Sequence, residues 1–306
     1  MSNLTVSSAP HIRAGASTSR IMLDVVIALV PAFIASIVIF GGRAALVVCV
    51  CVVTCVFCEW AFEKAVKRQN TIRDMSAAVT GVILAFNLPV TIPVWQAVFG
   101  SAVAIILIKQ LFGGLGKNFA NPAATARIVM FLAFSTTMTT WVLPVDGVTG
   151  ATPLALIARG ETEMLPGLTD MFLGIRGGAL GETSAVALII GGLYLIVRRV
   201  ITWHTPVVFI ATVFVLTAVL GQEPVYQILS GGLLLGAIFM ATDYVTTPQT
   251  SLGRVIFGIG AGLITVMIRL YGSYPGGVSY AILLMNILTP YINRLTINKP
   301  LGGVDS

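Results

Sequence analysis

The sequence predicts an all-α polytopic membrane protein of about ten transmembrane helices, arranged as two inverted five-helix repeats with broken helices. Three observations carry that prediction. Of the 306 residues, 57% are hydrophobic and only 10% charged, whereas soluble domains carry roughly 25% charged residues. With a mean hydropathy of +0.95, such a chain cannot cover a water-facing surface, so its solvent is lipid. Ten apolar runs of spanning or near-spanning length follow one another along the chain. Two of these runs end in polar, Pro-containing sequence at corresponding places in a weak internal repeat.

Taken in order, residues 1–20 are polar and lack the apolar core of a signal peptide, and read as a cytoplasmic N-terminal segment. Runs at 21–40, 44–62, 74–88, 94–112 and 122–141 form the first five-helix repeat, 21–141. The second run holds all four cysteines, Cys49, Cys51, Cys55 and Cys58. Cys55 and Cys58 have a redox or metal spacing, but no His or second Cys pair lies near, so the four read as buried apolar thiols. A polar segment, 142–182, follows as an extracytoplasmic loop. Runs at 183–197, 203–220, 225–241, 252–271 and 278–293 form the second repeat, 183–293, and 294–306 is a cytoplasmic tail.

The third run ends Ala85-Phe-Asn-Leu-Pro89 and the eighth ends Met240-Ala-Thr-Asp-Tyr-Val-Thr-Thr-Pro248. Such breaks free backbone groups that lipid cannot satisfy, so they are expected to line a protein-walled cavity or the interface. After each break comes a related stretch, Phe99-Gly-Ser-Ala to Lys109 and Gly113 in one case, Phe257-Gly-Ile-Gly to Arg269 and Gly272 in the other. An odd number of spans per repeat turns the second half upside down. Within this stretch Gly258 and Gly262 form a small-xxx-small pair suited to helix packing.

The charge pattern sets the topology. The side with both termini carries Arg13, Arg20, Lys64, Lys67, Arg68, Arg73, Lys117, Arg198, Arg199, Arg254, Arg294 and Lys299, and the other side only Arg43, Arg159, Arg176 and Arg269. This bias puts both termini in the cytoplasm. It also accounts for the net charge of +6 without nucleic acid. The outer segment 142–182 sets Asp146, Glu161, Glu163, Asp170 and Glu182 against Arg159 and Arg176. It is the one long polar connection between spans, and such connections are usually functional or disordered.

Few conventional motifs are present. Gly113-Gly-Leu-Gly-Lys117 lacks the Walker spacing, and the Gly-rich stretch Gly174 to Gly181 follows no strand. His11 and His204 are the only histidines and lie far apart, so no metal site is expected. Ionisable groups in or near spans are Asp24, Glu59, Lys109, Arg127, Asp243 and Arg269. Glu59 and Lys109 lie near span ends and read as snorkelling side chains. Asp243, in the second break, and Arg127, just beyond Asn121-Pro122, either line a cofactor or ion path or pair helix ends.

The outer segment also contains Asp146-Gly-Val-Thr149-Gly150-Ala151-Thr152. Taken alone it reads as a surface turn rich in Gly and Thr. It resembles the Asp-x-x-Ser/Thr-Gly-Ala-Thr motif at which a flavin transferase joins FMN to threonine through a phosphoester, and the motif is complete. Further stretches agree: Ser8-Ala-Pro-His11, Ile21-Met-Leu-Asp24 on to Pro31, Asn118-Phe-Ala-Asn121-Pro-Ala123, Met240-Ala-Thr-Asp243 and Thr247-Pro248. Over nearly its whole length the chain resembles the NqrB/RnfD family, whose members are membrane subunits of the sodium-pumping NADH:quinone reductases and of Rnf complexes. The short polar segment before the first span favours the Rnf branch.

That resemblance implies a subunit of an ion-translocating ferredoxin:NAD+ oxidoreductase in a bacterial cytoplasmic (inner) membrane. Its partners would be the other membrane and peripheral Rnf subunits and, during maturation, a flavin transferase. It implies covalent FMN on Thr152, with Asp146, Thr149, Gly150 and Ala151 as recognition positions for the transferase. A second, non-covalent flavin, riboflavin, is implied near the broken helices, where Asn121, Arg127, Asp243 and Thr247 are candidates for a flavin or ion path. The segment's negative balance repels a free phosphate and no basic nest is evident in it, so a covalent tether would replace affinity. Gly147 and Gly150 are expected to keep the stretch flexible for the modifying enzyme. A flavin-free channel or transporter for a small solute accounts for the broken helices but leaves the motif unexplained.

Overall fold

The computed structural model describes residues 17–143, 149–182, 184–272 and 276–297. These form fourteen α-helices, with two 3-10 turns and two π-helical stretches among them. The single extended contact among them is an isolated antiparallel bridge between Val142 and Thr149. Asp146 and Gly147, with Ser8, Pro10, His11, Arg13 and Lys299, lie outside the described residues.

Helix α1 (Thr18–Phe40) starts where the Ser17 hydroxyl accepts from the Arg20 N–H at 3.3 Å. It ends at Gly41, whose φ of +73° turns the chain straight into α2 (Gly42–Ala65). Leu23, Ile27, Val30, Ile34 and Val38 of α1 face outward, an apolar stripe for lipid. The opposite face of α1 packs on α9 (Ala185–Val197), and α2 packs on α3 (Ser76–Phe86). Helix α4 (Val94–Ala102) continues as a π-helical stretch, Val103–Gln110. Helix α5 (Pro122–Ala133) is capped by Asn121 and followed by the short α6 (Ser135–Thr139).

Residues 149–182 of the outer segment are folded, with α7 (Pro153–Arg159) and α8 (Leu168–Leu173) burying Leu154, Leu156 and Met171. The second half continues with α10 (His204–Val219) and α11 (Pro224–Leu229). Next come the one-turn α12 (Leu233–Leu235), running into π-helical Gly236–Met240, then α13 (Ser251–Tyr271) and α14 (Val278–Thr296). Gly258 and Gly262 let α13 approach α10 closely: a Cβ on Gly262 would sit 2.6 Å from Thr212 Cβ.

Among the described residues three helices, α1, α2 and α13, are long and apolar enough to cross a membrane alone, and five more apolar helices are shorter. The chain is thus an all-helical membrane protein, with several of its expected spans in pieces. The run expected at 122–141 is two helices separated at Phe134, which leaves helical geometry at φ −133°, ψ 48°. The run expected at 225–241 is broken at Ser230-Gly231-Gly232 as well as after Met240. Both expected breaks are present: α3 stops at Phe86, and 241–250 contains no helix.

Two expectations about single residues are corrected. Glu59 and Lys109 do not snorkel. They meet at 2.6 Å with side chains 0% and 3% exposed, because Gln110 and Ser76 complete a polar pocket around them. Of the four free cysteines, Cys51, Cys55 and Cys58 are buried but Cys49 is exposed.

Candidate functional site

Thr152 occupies a fixed position. It is the N-cap of α7, its Oγ1 accepting from the Ala155 N–H at 3.3 Å, with Pro153 at the first helical position. Upstream, the Val142–Thr149 bridge and the Gly150 N–H donated to Trp141 O at 3.0 Å tie the stretch down. Gly150 also serves close packing: a Cβ there would lie 2.7 Å from Leu143 Cδ1. Thr149 is exposed, while Gly150, Ala151 and Thr152 are half-buried.

Thr152 opens into a cavity whose polar lining includes Arg127 of α5, Arg176 and Glu182 of the outer segment, Ser230 before α12 and Ser279 of α14, with Thr139 and Tyr280. Arg269, near the end of α13, stands just behind. The positive φ values of Gly231 and Gly232, +65° and +69°, shape this wall. A Cβ on Gly231 would come within 2.8 Å of Arg269 Nη2, and one on Gly232 within 3.2 Å of Arg127 Nη1 and 3.0 Å of Glu182 Oε2. The Glu182 carboxylate is near enough to favour the charged form of all three guanidinium groups, without closing an ion pair to any of them. The expectation that no basic nest stands near Thr152 is thus overturned: three arginines scattered over 142 positions of sequence converge there, against one carboxylate.

The arginines are held from behind. Arg176 Nη2 donates to Glu182 O at 2.7 Å and to Leu229 O. Arg269 donates to Gln227 O at 2.6 Å, Gln227 Oε1 at 3.0 Å and Ser230 O at 3.0 Å. Arg127 Nη1 donates to Asn87 Oδ1 at 2.9 Å. Nevertheless Arg176 Nε, Glu182 Oε2, Ser230 Oγ, Ser279 Oγ and Arg269 Nε are buried without hydrogen-bond partners. Each such atom costs on the order of 1–3 kcal/mol, so a cluster of them around one cavity suits an anionic group rich in acceptors and donors. Arg176, Glu182, Ser230 and Ser279 were legible only as loop charges or ordinary hydroxyls. What marks them is convergence, which sequence does not display.

A second cavity lies at the other end of the bundle, lined by residues including Asn121, Asp243, Lys109, Asn118 and Thr242. Arg254 and Arg269 of α13 stand near opposite ends, and fifteen residues of helix separate them by about 22 Å. The Asn121 carboxamide oxygen caps α5, accepting from Ala123 and Ala124 N–H at 3.0 and 3.1 Å. Asp243 accepts from Val245 N at 3.3 Å and Thr246 Oγ1 at 3.2 Å, which folds the break into a turn. Thr247 donates to Asp243 O at 2.5 Å and lines an adjoining polar pocket with Arg254. Asn121 and Asp243 therefore share one cavity, Thr247 flanks it, and Arg127 belongs to the other. Between the cavities the two breaks touch, Asn87 Nδ2 donating to Met240 Sδ at 3.5 Å, and the α5 cap residue Asn121 donates from Nδ2 to Met240 O at 3.2 Å. Among the described residues no group of three or more His, Cys, Asp or Glu is placed to hold a metal ion.

Comparison with known proteins adds to this geometry. The NQR2, RnfD, RnfE family profile matches residues 5–302. The chain is 49% identical over 304 residues to a subunit of the Na(+)-translocating ferredoxin:NAD(+) oxidoreductase complex of Acetobacterium woodii, covering 98% of this chain and 96% of that one. It is 42% identical to the corresponding subunit of the proton-translocating ferredoxin:NAD(+) oxidoreductase complex of Clostridium ljungdahlii, covering 95% and 94%. It is 38% identical to that of the ion-translocating oxidoreductase complex of Stutzerimonas stutzeri, covering 94% and 92%. On the strength of a match along nearly its entire length, this chain belongs to the NQR2, RnfD, RnfE family.

Proposed function

We propose that the chain is the RnfD-type, flavin-carrying membrane subunit of an ion-translocating ferredoxin:NAD+ oxidoreductase, which relays electrons through FMN joined to Thr152. The observation that carries this reading is the placement of Thr152. The last residue of a complete flavinylation motif opens into a cavity walled by arginines and unpartnered polar atoms. A phosphate there finds guanidinium donors, which match phosphate oxygens in geometry and charge. The flavin supplies the electron chemistry when bound; the protein sets its position and surroundings.

Attachment requires an activated donor, because threonine is a weak nucleophile. A flavin dinucleotide meets the need: the Thr152 Oγ1–P bond forms, the pyrophosphate P–O bond breaks, and a nucleoside monophosphate leaves as the hydroxyl proton is lost. The transferase provides that activation. The ester oxygen keeps a lone pair toward Ala155 N–H, so modification is compatible with the cap.

The second cavity, with Asn121 and Asp243, is the place for a non-covalent riboflavin. The reading also includes both termini in the cytoplasm, the two five-helix halves inverted about the contact of Asn87 with Met240, and other Rnf subunits as electron partners. The relatives' names include both Na+ and H+ as the translocated ion.

A denaturing gel viewed under ultraviolet light tests the reading. Thr152→Asn keeps an N-cap but has no hydroxyl. Wild type produced beside a flavin transferase is expected to fluoresce and Thr152→Asn to be dark at equal protein. A dark wild-type band under those conditions refutes covalent flavin and leaves a flavin-free transporter as the better reading.

A further inference from the structure

We propose that Arg127 and Arg176, backed by Arg269, form this chain's own socket for the flavin nucleotide phosphate, so that FMN binds beside Thr152 without the covalent bond. This deepens the flavin reading of Thr152 and rests on it. The cavity is rich in unmet bonding. Arg176 is 1% exposed and Ser279 2% exposed, yet Arg176 Nε and Ser279 Oγ have no partner. Both line the cavity into which Thr152 opens, as do Ser230 and Glu182 with their unpartnered Oγ and Oε2. Burying guanidinium groups that lack a full set of acceptors is costly in a membrane interior, and one carboxylate does not balance three of them.

A phosphate group supplies the missing acceptors and negative charge. The flavin nucleotide also carries donors, in its ribityl hydroxyls and ring N–H, for Glu182 Oε2. The socket's backbone is preformed: Gly231 and Gly232 leave the space that a Cβ would take from Arg269 and Arg127. Riboflavin offers the same ring and ribityl chain without the phosphate, so the socket predicts discrimination between the two.

The test uses the full-length chain carrying Thr152→Asn, purified in detergent, with retention of phosphorus-radiolabelled FMN in equilibrium dialysis as the readout. Saturating riboflavin is present throughout to fill any site that accepts it. FMN is expected to bind saturably on top of riboflavin, inorganic phosphate to compete with it, and Arg127→Gln, which keeps a polar partner for Asn87, to weaken FMN on the order of tenfold or more. Ser279→Ala, a milder change, is expected to weaken FMN in the same direction, so the result does not depend on the arginine variant folding. Thermal melting checks that both variants fold.

The proposal fails if excess riboflavin abolishes FMN uptake, if no FMN binds, or if FMN binds equally with and without phosphate and in both variants. It also fails if phospholipid phosphorus co-purifies at one per chain and is lost in Arg127→Gln, since the socket would then hold a headgroup. A fluorescent wild-type band together with any of these outcomes overturns the socket while leaving covalent flavin standing. A dark wild-type band removes the flavin reading itself.

Discussion

The Glu59 carboxylate shows what this fold does with a charge that cannot reach water. Oε1 accepts from Lys109 Nζ at 2.6 Å and from Gln110 Nε2 at 2.8 Å, while Lys109 Nζ also donates to Ser76 Oγ at 2.6 Å. Three helices, α2, α3 and the end of α4, are joined through these atoms. Removing one partner of such a pair leaves an uncompensated buried charge and typically costs 3–5 kcal/mol. Lys109→Met is therefore expected to destabilise the chain by about 3–5 kcal/mol, and adding Glu59→Gln to restore a large part of it. Chemical unfolding in detergent micelles measures both, and equal stability of Lys109→Met and wild type would show the pair to be dispensable. Sequence placed these residues near span ends, where snorkelling is usual. The π-helical register of Val103–Gln110, which brings Lys109 and Gln110 inward together, is not written in local propensity.

At the scale of elements, legibility followed the capping and turn chemistry. Helices α1, α2 and α13 match their expected spans because a Ser17 cap, a Gly41 turn and a Thr250 cap bound long apolar runs. The break inside the eighth run was hidden because Ser230-Gly231-Gly232 is too small and apolar to interrupt hydropathy, although both glycines adopt positive φ. The Thr152 cavity was hidden for a different reason: Arg127, Arg176, Arg269, Ser230 and Ser279 belong to five separate segments, and their meeting is a tertiary fact. The α10–α13 contact was legible as Gly258-xxx-Gly262, and it gives a contrast to test. Gly262→Leu forces side-chain atoms into Thr212, an overpacking expected to cost at least about 1–3 kcal/mol. Gly42→Ala, where nothing lies within 4 Å, is expected to stay within about 0.5 kcal/mol of wild type. Similar melting temperatures for the two variants would mean that the helices pack less tightly than these distances.

The whole molecule has two chemically different ends. At one, Arg68 donates to Gln110 O at 3.1 Å, Ser19 donates to Arg73 O at 2.9 Å, and Arg254 donates to Pro248 O at 3.1 Å and Thr202 Oγ1 at 3.1 Å. These bonds gather basic residues from several connections beside the Asp243 cavity. At the other end stand Thr152 and the acidic exposed turn of Glu161 and Glu163. Positive residues are retained in the cytoplasm during insertion, so the proposed topology predicts that the Thr152 end faces out, where a transferase would meet the motif outside the cytoplasm. Glu163, exposed in the turn Thr162–Met164, is a suitable reporter. In a Cys49→Ser background, which removes the exposed native thiol, Glu163→Cys is expected to react with a membrane-impermeant maleimide in intact cells. Cysteine in place of Arg254, at the opposite end, is expected to react only after the membrane is opened. Labelling of Glu163→Cys only in opened cells would invert the molecule, put the motif on the cytoplasmic side, and require a cytoplasmic transferase for any flavin on Thr152.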